Sequence, residues 1–114
     1  MGTLYYGAAR TPIRIDDHTL THFKIMATSK MRRGEGFLLS WTDDTDAGAG
    51  RNSVWIHAGS DMHYKFDEAA PMPLETEVLE LMARQAAGTR GIELKDATLV
   101  HTPDASPTSI EPSA

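Results

Sequence analysis

The sequence predicts an α+β fold, a mainly antiparallel sheet with two helices, in the order β-β-α-β-β-β-α-β. Three observations carry that expectation. Apolar residues recur with period two in several short runs, such as Phe37, Leu39, Trp41 and then Val54, Ile56. Two longer stretches place apolar residues at helical spacing. Both stretches are followed by glycine, at Gly34 and Gly88, where a helix C-terminus is expected.

The first element is a hairpin. Leu4, Tyr5 and Tyr6 precede a turn around residues 7–11, after which Ile13 and Ile15 alternate with Arg14. Asp16 or Asp17 then caps a helix, because a short carboxylate accepts the unpaired amide hydrogens of the first turn. That helix is expected over residues 18–33, about 24 Å long at 1.5 Å per residue. Lys30, Arg32 and Arg33 fall at its negative end, and Gly34 suits the cap.

Three strands follow, around Phe37–Trp41, Val54–Ile56 and Tyr64–Phe66. The acidic, glycine-bearing stretch 43–52 reads as a solvated loop between the first two. A five-residue link, 58–62, predicts Ile56 opposite Tyr64 and Val54 opposite Phe66, because that register buries apolar pairs together. Pro71 and Pro73 introduce a second helix over residues 74–87, striped by Leu74, Val78, Leu81 and Met82. Gly91 opens a last strand with Ile92 and Leu94, reaching as far as Val100. From Thr102 the chain turns to Pro, Ser, Thr and Asp. Residues 1–101 are therefore expected to form one domain and 102–114 a disordered tail.

Composition narrows the function classes. With 114 residues, 40% of them hydrophobic, the chain has room for one core and enough apolar side chains to fill it. It has no cysteine, which excludes disulfides, thiolate catalysis and cysteine zinc sites. No apolar run approaches the roughly 20 residues that cross a bilayer, and the N-terminus lacks an export pattern. The expected setting is the cytoplasm, with no membrane contact. Charge is unevenly placed: six basic residues face two acids in residues 1–34, while five face fourteen in the remainder, for a net charge of −5. Such a split can orient a protein on a polyanion.

The candidate binding residues follow from that reading. Lys30, Arg32 and Arg33 can neutralise phosphates, or simply complement the helix dipole. The predicted register puts Trp55, His57, His63 and Lys65 on the sheet face away from the core, where an indole beside a lysine can stack a base. In the first helix, Leu20, Phe23, Ala27 and Met31 form one face, and the other holds His18, Thr21 and His22 but also Ile25 and Met26. A helix apolar on both sides is either buried between layers or joined to a second copy through Ile25 and Met26.

Metal and catalytic patterns fail on their spacing. His18 and His22 are four apart but lack the glutamate of a zinc-protease helix. His57 and His63, opposed across two strands, would lack a third ligand. Counting twelve positions from Asp44 reaches Trp55 rather than the glutamate of a calcium loop. Gly34, Gly36, Gly48 and Gly50 are too sparse for a phosphate loop, and no serine elbow occurs. No catalytic residue, metal or cofactor is expected.

The opening MGTLYYGAARTPIRIDDHTLTHF, the stretch KMRRGEGFLLSW and the segment SVWIHAG together resemble a family of short proteins from high-GC Gram-positive bacteria, whose members are labelled "ATP-dependent DNA ligase". The likeness spans roughly residues 1–95. It implies an association with DNA. A ligase attacks ATP with the lysine of a Lys-x-Asp-Gly motif, and the lysines here sit in KIMA, KMRR, KFDE and KDAT, so no catalytic residue carries over. The expectation is a small non-catalytic module that binds DNA or a DNA-repair protein through Lys30, Arg32, Arg33, Trp55, His57 and Lys65. A homo-oligomeric scaffold joined through Ile25 and Met26 is the alternative, and a ligase-like nucleotide-using enzyme the third.

Overall fold

In the computed structural model, which describes residues 1–42 and 50–101, nine elements follow one another. They are β1 (Gly2–Tyr6), β2 (Thr11–Ile15), α1 (Asp17–Arg32), β3 (Phe37–Thr42), β4 (Arg51–Ile56), β5 (Met62–Lys65), α2 (Thr76–Ala87), β6 (Ile92–Lys95) and β7 (Thr98–Leu99). The α+β class and the element order agree with the sequence reading, with the short β7 added at the end. The expected tail and most of the acidic loop lie outside the described residues.

The strands form two sheets instead of one. One has the order β2-β1-β5 and is antiparallel throughout; the other has the order β4-β3-β6-β7, with β3 and β6 parallel. This corrects the expected pairing of Ile56 with Tyr64 and Val54 with Phe66. Tyr64 lies opposite Leu4, whereas Ile56 lies opposite Phe37 and Val54 opposite Leu39. The link after β4 explains the difference. It turns sharply, with the Ser60 N–H donating to the His57 carbonyl at 2.9 Å, and the Asp61 carbonyl then accepts the Gly7 N–H at 2.9 Å. The chain is thereby handed to β1. A two-stranded hairpin is marginal alone, and a third strand makes β1 the centre of a sheet that can hold a core face.

Local signals set the helix ends. The Asp16 carboxylate accepts the Thr19 N–H at 3.2 Å. At the other end Gly34 adopts φ 69°, and the Gly34 and Glu35 N–H groups donate to the carbonyls of Met31 and Lys30. Those paired bonds need a left-handed residue, which glycine supplies without steric cost. The second helix begins two residues later than expected. Leu74 precedes it and is 53% exposed, so it leaves the apolar stripe.

The core lies where α1 and α2 cover the inner sides of the two sheets. Leu4, Ile13 and Ile15 from the first sheet meet Leu20, Phe23 and Ala27 of α1. Phe37, Leu39, Ile56, Ile92 and Leu94 from the second join Met82 and Ala86 of α2. Phe23 and Phe37 touch edge-on, with ring centroids 5.9 Å apart. Burial pushes the Tyr64 hydroxyl pKa up to about 12. Beyond β6 the chain reverses at Asp96 and Ala97, both at positive φ, and β7 returns beside it. The last strand is thus a hairpin rather than one run to Val100. No helix among the described residues is long and apolar enough to cross a membrane.

Candidate nucleic-acid interface

The outer face of the β2-β1-β5 sheet follows from the strand period. Leu4, Ile13 and Tyr64 pair across the sheet and point inward. Their neighbours must point the other way. One outward row is Arg14–Thr3–Lys65 and the next is Pro12–Tyr5–His63. The strands themselves, GTLYY, TPIRI and MHYK, hold no aspartate or glutamate.

Arg10 completes this face from the turn between β1 and β2. Its guanidinium carbon stands 4.5 Å from the centroid of the Tyr5 ring, and its Nη2 donates to His63 Nδ1 at 3.1 Å. The Tyr5 and His63 rings are 5.4 Å apart. Arg10 has φ 54°, a left-handed conformation unusual for arginine, and its N–H closes the turn onto the Gly7 carbonyl. In the other row Arg14 Nη1 donates to Thr3 Oγ1 at 3.2 Å. Lys65 is exposed and makes no ion pair among the described residues. Among the described residues, Asp61 just before β5 and Asp67 and Glu68 just after it stand at the margins. Asp67 lies 3.5 Å from the Met1 ammonium, and the buried Asp17 carboxylate accepts the Glu68 N–H at 2.8 Å.

The residues singled out from sequence are spread over three places. Lys65 belongs to this face. Trp55 and His57 lie on or just after β4, in the other sheet. Trp55 is 56% exposed, and its indole lies across Gly36, where an added Cβ would meet Cζ2 at 2.5 Å. His57 Nδ1 accepts the Gly59 N–H at 3.1 Å. His57 and His63 are therefore not opposed across a strand pair.

At the end of α1, Lys30 and Arg33 both reach Glu35 Oε1, at 3.2 and 3.3 Å. Arg33, and then Lys30, hold the Glu35 carboxyl below its usual pKa. Arg33 also donates to Ser29 Oγ at 2.8 Å. Arg32 is exposed and unpaired among the described residues. Two of these three cations thus already have a local partner.

The two apolar residues assigned to self-association part company. Ile25 is 42% exposed, but Met26 is only 5% exposed and belongs to the core. The expected exposed pair is therefore corrected to Ile25 alone, because the buried face of α1 is broad enough to include Met26. Ile25 and Leu74 line a groove of about 340 Å³ between α1 and the segment before α2, with Phe66, Pro71 and Met72.

His22 also moves to the buried side. Its Nδ1–H donates to the His18 carbonyl at 2.8 Å, and its Nε2 accepts the Glu75 N–H at 2.8 Å. Both ring nitrogens are occupied by protein groups. Among the described residues no cluster of three ligating side chains is placed to hold a metal. A hollow of about 520 Å³ beside β3, β4 and β6 is lined by Arg51 and Lys95 together with Glu93, and Glu93 is already paired with Arg90 at 3.5 Å.

Tyr5, Arg10 and Arg14 are the members of this cluster that sequence reasoning missed; His63 is expected on an outward face, but beside Trp55 and His57 instead of Tyr5. The alternation of Ile13, Arg14 and Ile15 was a usable signal that Arg14 faces outward. The pairing of β1 with β5 joins residues some sixty positions apart and left no local trace.

The fold and this face define a small two-sheet α+β domain with one cationic sheet surface whose three strands carry no acid. Residues 1–98 match a family described as a domain of unknown function, DUF7882, and the chain belongs to that family. Comparison with curated proteins and with solved structures finds no match.

Proposed function

We propose that this protein is a non-catalytic module that binds nucleic acid through the outer face of the β2-β1-β5 sheet. One observation carries the reading: Arg14 and Lys65, with Arg10 from the adjoining turn, share one face of a sheet whose three strands hold no acid, in a chain whose net charge is −5. Cations collected on one side attract a polyanion, while the acidic remainder limits indiscriminate binding. The likeness to short proteins labelled DNA ligases agrees with an association with DNA, and the missing Lys-x-Asp-Gly motif argues against ligation itself. Of the cations first considered at the end of α1, only Arg32 is unpaired, so that end is a secondary contact. Trp55 remains an exposed aromatic on the second sheet.

Titration of a labelled DNA strand at two salt concentrations tests the proposal. Arg14 and Lys65 on phosphates give a log–log salt slope of about −1.4 for single strands, and a third contact from Arg10 would bring it to about −2. Absence of binding at low salt, or binding without salt dependence, would overturn it.

A second reading, self-association, is favoured by the exposure of Ile25 and Leu74 on one groove. Light scattering at high protein concentration separates the two, since a strict monomer removes it.

A further inference from the structure

We infer that the Tyr5–Arg10–His63 stack seats one unpaired nucleobase, making single-stranded nucleic acid the class of partner this face takes. The inference rests on the reading above, in which Arg14 and Lys65 meet phosphates. Four features support it. Arg10 is exposed and already lies over Tyr5, so the far side of its guanidinium is open to an incoming planar ring. The hydrogen bond to His63 fixes that side chain, which lowers the entropy lost when a base stacks on it.

The flanking cations have suitable spacing. Arg14 and Lys65 stand on either side of β1, about 10 Å apart at Cα, and about 7 Å along the strands from the Tyr5 row. A strand whose base rests on Arg10 can thus place neighbouring phosphates near both. Duplex DNA keeps its bases stacked inside and cannot offer a ring to this seat. The left-handed backbone at Arg10 fits the same picture, because strain of this kind persists where the surroundings hold a side chain in place.

The experiment compares a labelled oligothymidylate, an abasic strand of equal length and a duplex by fluorescence anisotropy. Glycine accepts the backbone conformation of Arg10 more readily than arginine does, so Arg10→Gly deletes the guanidinium while sparing the turn. Tyr5→Val keeps a strand-forming residue and removes the ring. Oligothymidylate should bind about ten-fold more tightly than the abasic strand. Both variants should reduce that ratio to near one, and Arg14→Gln should weaken both strands alike. Equal affinity for the two strands, or for oligothymidylate and duplex, with Arg14→Gln still weakening binding, overturns the base seat and leaves the phosphate reading standing. A preference for bases that survives in both variants overturns it as well. Failure of every nucleic acid to bind at low salt removes both readings together.

Discussion

The backbone N–H of Glu75 donates to the buried Nε2 of His22 at 2.8 Å, tying the start of α2 to the middle of α1. Glu75 is the N-cap of α2, and its carboxylate reaches back to His18 Nε2 at 3.0 Å. No side chain caps this helix from within its own first turn, so the histidine contact holds the helix start in its place.

Removing that imidazole should therefore loosen the joint between the helices. His22→Ala leaves a cavity and a backbone amide without its acceptor. A loss of about 2–4 kcal/mol is expected. Urea unfolding measures it; a midpoint equal to that of the parent chain would show that the contact contributes nothing.

Tyr64 makes stability depend on alkaline pH. Its folded-state pKa is raised to about 12 from the ordinary 10. Below pH 10 the hydroxyl is protonated in both states and the full stability is present. Between pH 10 and 12 only the unfolded chain releases the proton, so stability falls by up to roughly 2–3 kcal/mol. Tyr64→Phe should abolish this part of the decline in a pH series of denaturation midpoints.

Glu35 discriminates between the two cationic regions. Glu35→Gln frees Lys30 and Arg33 from their shared carboxylate. If the sheet face is the contact surface, the salt slope for single-stranded DNA stays as it was. Arg14→Gln or Lys65→Gln, by contrast, should each make the slope shallower by about 0.7. A steeper slope in Glu35→Gln would relocate the contact to the end of α1.

Gly36 is the floor under Trp55. A methyl there collides with the indole, which is a side chain free to swing outward. Gly36→Ala should thus shift one of the two indole N–H resonances and leave the other in place. The stability cost should stay below about 1 kcal/mol, as for most surface changes. An unaltered pair of resonances would contradict the contact.

Much of the secondary structure is legible along the chain because its causes are local. Asp16 and Gly34 bound α1 through hydrogen bonds within a few residues of themselves. The outward position of Arg14 follows from Ile13 and Ile15 beside it. The face of α1 is less legible: Met26 and His22 look equally able to meet solvent until the core closes over Met26 and the Glu75 amide meets His22.

What the sequence by itself determined is which residues form strands and helices, and which side of each strand is apolar. Alternation cannot say which strand lies alongside, since any apolar face satisfies any other. Only the tertiary structure decided that β5 pairs with β1 instead of β4, and that pairing sets Lys65 and His63 beside Arg14 and Tyr5. The physical reason is that register within a strand is a short-range matter of pleat, whereas the choice of neighbour depends on how the whole core closes.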